Sequence, residues 1–208
     1  MNQDLGRKSL WTVRQLGLPA VVRSCPDCRC TRHQAAGKFR VNANGKLLDV
    51  WMLVLCEGCG RTSKVPVHER IHVRELDGAR RTAFENNDGD LVHELVTSAS
   101  LAERAGYRLD WEGTWALETD MPFIELEQGA LADTEVIVGF ELPVPIRVER
   151  LLMEGLGLSR GRVRALIEEG LIRLPGRLRA SGRVSAGFGF AVGGGSAPFM
   201  PGFMRETR

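Results

Sequence analysis

Five cysteines stand at positions 25, 28, 30, 56 and 59. Four of them make two Cys-x2-Cys doublets, Cys25-Pro26-Asp27-Cys28 and Cys56-Glu57-Gly58-Cys59. Two residues between thiolates let one tight turn aim both sulfurs at a single ion. Two such turns complete a closed tetrahedron, with Zn–S near about 2.3 Å. Pro26, Gly58 and Gly60 suit such turns. The doublets are therefore read as one zinc site with ligands Cys25, Cys28, Cys56 and Cys59. A redox or disulfide pair is the competing chemistry, and it suits an oxidising compartment better than an intracellular chain. Cys30 and His33 lie beside the first doublet as spare ligands and are read as bystanders.

The doublets must be brought together by what lies between them. Phe39 to Ala43 reads as a strand, Asn44-Gly45 as a type I′ turn, and Lys46 to Leu55 as the returning strand. That return strand is apolar on both faces, so other parts of the chain are expected to pack over it. After the second doublet the period is two. Val65, Val67, Ile71 and Val73 alternate with Lys64, His68, Arg70, His72 and Arg74, and Pro66 marks an edge strand. The basic stripe is either a solvated strand face or a rail facing phosphates. His68 and His72 have no acidic partner at a telling spacing and are not read as catalytic.

Residues 77–106 read as helices broken at Asn86-Asn87-Asp88-Gly89. Ser100 to Glu103 forms a candidate capping box, and Gly106 a helix end. Trp111 and Trp115, four apart, are expected in the core. Further on, Arg147 to Leu152 begins a short helix that Gly155 and Gly157 end. Ser159 caps a second, Arg160 to Glu169, stopped by Gly170. Val163, Leu166 and Ile167 make its buried stripe, with Arg160 and Arg164 on one flank and Arg162 on the other. A strand, Leu171 to Leu174, and a Pro175-Gly176 turn follow.

Arg147-Val148-Glu149-Arg150-Leu151-Leu152, Gly157, Ser159-Arg160, Arg162, Arg164, Ile167, Gly170, Ile172, Leu174 and Gly176 resemble a known pattern. It is that of the RNA-binding module of small-subunit ribosomal protein four, pseudouridine synthases and a heat-shock ribosome-binding protein. The resemblance implies a helix pair whose arginine face, Arg147, Arg160, Arg162 and Arg164, meets structured RNA. Glu149 stands where that pattern has Asp, Pro175 where it has Asn, and Gly187-Phe188 where it has Gly-Asp. Most of the chain also resembles a bacterial family known as domain of unknown function 1062. That resemblance rests on Trp11 to Arg14, Leu18-Pro19, the first doublet, Gly37 to Lys46, Leu48 to Trp51 and Val67 to Arg70. It implies no activity.

The chain has 208 residues, 28 Lys+Arg and 26 Asp+Glu, for a net charge of +2. Its apolar fraction, 43%, is ordinary for a globular protein and excludes a wholly disordered chain, a collagen or a coiled coil. No apolar run reaches the roughly 18 residues of a membrane span, and no signal-peptide pattern opens the chain, so a cytoplasmic protein is expected. The small net charge conceals a polarity. Residues 1–46 carry nine Lys/Arg and two Asp/Glu; residues 75–141 carry sixteen Asp/Glu and four Arg; residues 147–183 carry nine Arg and four Glu. Either the basic ends bind a polyanion, or they pair with the acidic middle inside one molecule.

These readings combine into an α+β protein. A zinc-ribbon β domain, 1–76, packs with an acidic, mainly helical middle, 77–142. A helix-pair module of the ribosomal RNA-binding kind spans 143–192, and a flexible tail 193–208. No Walker loop, nucleotide-binding Gly motif, nucleophile elbow or His-Glu-x-x-His is present. A four-Cys site leaves its metal no open position for substrate. The expected function is non-enzymatic RNA binding, in association with structured RNA or the ribosome, or with tRNA. A zinc-ribbon adapter with a protein partner is the alternative.

Overall fold

The computed structural model describes residues 7–120 and 134–193. The tail beyond Gly193 and residues 121–133 of the acidic middle lie outside the described residues. The fold is mixed α+β, with mainly antiparallel sheets and few helices. The chain divides into two compact units, Gly17–Thr114 and a second made of Met1–Leu16 with Trp115–Arg208. The divisions expected near residues 76 and 142 are not where it parts. The helices after residue 76 share a core with the hairpin before it, and the N-terminal strand belongs to the C-terminal unit.

In the Gly17–Thr114 unit, β2 (Ala20–Val22), β3 (Arg32–Asn44), β4 (Leu47–Cys56), β5 (Thr62–His72) and β6 (Arg108–Asp110) form one antiparallel sheet. Its order is β5-β4-β3-β2-β6. Strand β4 alternates: Leu48, Val50, Met52, Val54 and Cys56 are buried, while Leu47, Asp49, Trp51 and Leu53 are half-buried and Leu55 is exposed. The second face is thus less covered than its apolar sequence predicts; Lys64 Nζ sits 4.7 Å from the Trp51 ring centroid. The buried face packs on α1 (Gly78–Asn86), α2 (Gly89–Thr97) and α3 (Ala99–Arg104) through Phe84, Leu91, Leu95, Val96 and Leu101. Asn87, at φ 54°, closes α1, and its Oδ1 accepts the Phe39 N–H at 2.7 Å beside the irregularity in β3.

Local chemistry departs from expectation at three places. Asn44 pairs with Leu47, so the hairpin loop is Gly45-Lys46, with positive φ at Gly45 alone. That is the pattern of a type II′ turn rather than I′. The cap of α3 is Ser98, whose Oγ accepts the Leu101 N–H at 3.1 Å, not Ser100. Strand β5 shifts register twice against β4. His68 thereby lies opposite buried Val50, and Ile71 opposite Leu48. His68 turns onto Phe84, with ring centroids 5.8 Å apart, so the basic stripe is interrupted there. Arg70 takes φ 50° at the second irregularity, its N–H held by Asp49 Oδ1 at 2.7 Å. His72 Nδ1 accepts the Arg74 N–H and caps the short turn Val73–Glu75.

The other unit holds a five-stranded sheet of, in order, β10 (Ile172–Arg173), β12 (Phe188–Val192), β8 (Thr134–Phe140), β1 (Arg7–Gln15) and β7 (Trp115–Thr119). Strand β1 pairs parallel with β8 and antiparallel with β7. Strands β12 and β10 extend it, and β9 (Ile146–Arg147) pairs with β11 (Arg183–Val184). Helices α4 (Val148–Leu156) and α5 (Arg160–Glu168) contribute buried Val148, Leu151, Leu152, Leu156, Val163 and Leu166. Trp11 is fully buried and meets Phe190 edge-on at 5.2 Å. Gly155 passes against the Trp11 indole so closely that a Cβ would lie 2.2 Å from a ring carbon. Trp115 is buried in this unit as expected, whereas Trp111, in the other unit, is only half-buried.

Candidate functional site

The register of β3 and β4 carries the doublets to one end of the sheet. Cys56 ends β4 opposite His33, one residue after β3 begins, and the Glu57 N–H bonds the Arg32 carbonyl at 3.0 Å. Each doublet closes on itself. The Cys25 N–H meets the Cys30 carbonyl at 3.0 Å, and the Cys56 N–H meets the Arg61 carbonyl at 2.9 Å. Asp27 in the first turn pairs with Arg61 after the second. Arg32 pairs with Glu57 at 3.1 Å and with Asp110. These ion pairs brace the two turns, although exposed pairs of this kind add little stability each.

The Sγ atoms of Cys25, Cys28, Cys56 and Cys59 all lie within 4.8 Å of one another. Two of the separations between doublets are 3.7 Å for Cys25 to Cys59 and 3.6 Å for Cys28 to Cys56. A tetrahedron of Zn–S bonds near about 2.3 Å has edges of roughly 3.8 Å. The four cysteines thus lie close enough to hold a metal ion. The N–H of Asp27 is the main cause holding the Cys25 thiol down, at about 6; the N–H of Cys28 and the Cys56 and Cys59 thiols add to it. Cys28 is pulled down by the N–H of Cys30. The Cys59 thiol, burial and the Cys56 and Cys25 thiols outweigh this and push it up to about 12. Cys25 is thus held toward its thiolate and Cys28 toward its thiol. A bound dication would take the place of the remaining protons.

Cys30 and His33 are not in the set of four. Cys30 Sγ donates to the Arg32 carbonyl at 3.6 Å, and its Cβ would lie 2.8 Å from a Cβ added at Gly58. Gly58 is therefore a close-approach glycine, which turn chemistry alone did not reveal. His33 is fully buried, and neither ring nitrogen has a hydrogen-bond partner. Beside the second doublet runs an open groove of about 400 Å³ whose polar lining includes Arg32, Gln34, Glu57, Glu112 and Thr114. His68 and His72 do not line it.

In the other unit, helix α4 ends at Gly157 in the left-handed region, and Ser159 Oγ caps α5 by accepting the Arg162 N–H at 3.3 Å. The arginine flank is not free. Glu149, 4% exposed, takes Arg164 Nε at 2.6 Å and Arg160 Nε at 3.5 Å. Arg162 pairs with Glu169 at 3.6 Å. Arg147 is exposed at the start of α4 and makes no side-chain cap. The acidic middle does pair with the basic start: Lys8 with Glu135, Arg14 with Glu118, Arg32 with Asp110. Arg160, Arg162 and Arg164 instead find carboxylates within or at the end of their own pair of helices. Sequence reasoning noticed Glu149 only as a departure from a pattern. Its position 11 and 15 residues before Arg160 and Arg164 carries no periodic signal.

The pattern of the DUF1062 proteins, described as proteins of unknown function, matches residues 41–177. The chain belongs to that family. No curated protein and no solved structure matches it. The matched stretch runs from within β3 to just beyond β10, so it holds Cys56, Cys59 and the helix pair and leaves Cys25 and Cys28 outside. Among the described residues no helix is long and apolar enough to cross a membrane.

Proposed function

We propose that this DUF1062 member is a non-enzymatic, zinc-containing RNA-binding protein of the bacterial cytoplasm, associated with the ribosome or tRNA. The observation that carries the reading is the order of landmarks from 147 to 173. Helix α4, the left-handed Gly157, the Ser159-capped α5 with three exposed arginines, Gly170 and β10 follow one another as the resembling RNA-binding module requires. Zinc is the metal that best suits a closed set of four thiolates. It would be held by Cys25, Cys28, Cys56 and Cys59, and would supply shape rather than chemistry. Arginines of this segment that are not held by carboxylates would neutralise phosphates of structured RNA.

The test is a titration of labelled RNA at several salt concentrations, beside elemental analysis of reduced protein. The expected results are one zinc per chain and an affinity that falls with salt by a slope of roughly 0.7–0.9 per phosphate contact. Absence of RNA binding at low salt would falsify the reading. One observation favours the adapter alternative: the outer face of β4 leaves Trp51 and Leu53 partly exposed and Leu55 39% exposed. An adapter would show no salt-dependent RNA binding.

A further inference from the structure

We propose that the RNA-contacting surface is the arginine set Arg147, Arg177, Arg179 and Arg183 around the β9–β11 ribbon, and that it takes the phosphates of structured RNA. Arg160 and Arg164 are not its centre. This inference rests on the RNA-binding reading and names the surface that reading requires.

The charge balance of the unit decides the location. From residue 147 to 169 five arginines face four glutamates. Arg160 and Arg164 are spent on Glu149, Arg162 on Glu169, and Arg150 lies 5.5 Å over the Trp115 ring. From Gly170 to Gly193 there are four arginines and no Asp or Glu. Arg173 donates Nη1 to the Gly193 carbonyl at 2.6 Å. Arg177, Arg179 and Arg183 are exposed, as is Arg147, and among the described residues none of these four pairs with a carboxylate.

The backbone gathers them. Arg183 is the direct partner of Arg147 in the antiparallel ribbon, and like charges directly opposite repel. The loop before β11 is folded by two turns, Leu178 N–H to the Pro175 carbonyl at 3.0 Å and Gly182 N–H to the Arg179 carbonyl at 2.9 Å. It is pinned to the start of α4 by Val148 N–H to Gly182 at 3.0 Å and Glu149 N–H to Ala180 at 2.9 Å. Those two bonds use the first amides of α4, so side chains rather than a helix terminus would hold the anion. An anion between Arg147 and Arg183 relieves their repulsion and gains bidentate contacts that a lysine could not offer. Residues 175–187 contain no aromatic ring on which bases could stack, while Ser181 and Ser185 are exposed hydroxyl donors. The surface therefore fits a phosphate backbone held in a fixed shape, and not splayed single-stranded bases.

The experiment measures fluorescence anisotropy of three probes at several salt concentrations: a mixed-sequence RNA hairpin, an oligouridine of the same length and a DNA hairpin of the same sequence. The proteins are the full chain, Arg177→Glu/Arg179→Glu/Arg183→Glu, and Arg160→Gln/Arg164→Gln, each with a melting curve. The triple variant should lose at least tenfold affinity for the RNA hairpin, with a salt slope shallower by roughly 0.7–0.9 per lost contact. Its melting point should hold, because Arg183→Glu places a carboxylate opposite Arg147. If it fails to fold, Arg177→Gln/Arg179→Gln replaces it and should lose affinity in the same direction. Unchanged hairpin affinity in the folded variant overturns the inference, as does equal or tighter binding of oligouridine or of the DNA hairpin. If the loss falls on the Arg160/Arg164 variant alone, RNA binding stands and this surface does not. If the full chain binds no RNA, both readings fall.

Discussion

Glu149 decides the charge of the helix pair. Its carboxylate is 4% exposed, and the two guanidinium groups on it reach out to solvent. A buried carboxylate stripped of its cations costs more than the pair contributes. Replacing Arg160 and Arg164 together with Gln should therefore lower stability by about 2 kcal/mol, the exposure of the arginines having reduced the full buried-pair figure. Urea denaturation measures it. Adding Glu149→Gln to the double variant should recover most of the loss, because the neutral set leaves no bare charge. No recovery would mean that the packing of the arginine stems, and not charge, holds the pair of helices. His68 makes a second residue-scale case. Burial first, then Arg80 and Arg104, hold its imidazole below the ordinary 6.5. The unfolded chain thus takes up this proton at a higher pH than the folded chain. Stability should hold above about pH 6.5 and fall as pH drops from there through the folded value. Asp27 and Glu94, held down by Arg61 and Arg80, add their own losses only in the lower carboxylate range. His68→Gln should flatten the first decline and leave the second. A pH series of melting curves in which both declines persist would remove His68 from the account.

At the scale of elements, the features that depend on one residue type at one spacing were legible, and those that depend on tertiary contact were not. The doublets, the Asn87–Asp88 break between α1 and α2, and the Ser159 cap follow from turn and cap chemistry that acts within a few residues. The alternation of β5 misled because a register shift exchanges faces. Val65, His68 and Ile71, which no period of two unites, lie opposite the core positions Met52, Val50 and Leu48. The hairpin turn moved by one residue because both Asn-Gly and Gly-Lys can supply the positive φ that a two-residue loop needs. Gly155 read as a helix end, yet it lies inside α4, and its function is to admit the Trp11 ring. Gly155→Ala would normally favour a helix. Here it should destabilise by about 2 kcal/mol or more, since the indole is fully buried and its ring carbons leave no room for a Cβ. Thermal melting gives the sign directly, and a stabilised variant would show that Trp11 moves aside freely.

At the scale of the molecule, part of the charge polarity along the chain is taken up in local pairs. The basic start meets the acidic middle at Lys8–Glu135, Arg14–Glu118 and Arg32–Asp110, each within one unit. The stretch from Gly170 to Gly193 carries four arginines and no Asp or Glu, a distinction invisible to a count over 147–183. The same view explains why linear domain boundaries failed. Strand β1 pairs with β7 up to Gln15–Trp115, and the Gly17 N–H bonds the Thr114 carbonyl at 3.3 Å. Residues 17–114 are therefore an insertion in a β-hairpin, with their ends side by side and a core of their own from Val21 to Tyr107. A segment with adjacent ends, a core of its own and all four clustered cysteines has what independent folding needs. A fragment of residues 17–114 should fold in the presence of zinc, bind one equivalent, and give dispersed amide resonances. A chelator should loosen it, because metal affinity is linked to the folding of the two knuckles. The complementary chain, Leu16 joined to Trp115 by a short glycine linker, should bind no zinc and keep its melting transition when chelator is added. A fragment that stays unfolded with zinc present would show that the insertion draws its stability from the rest of the chain.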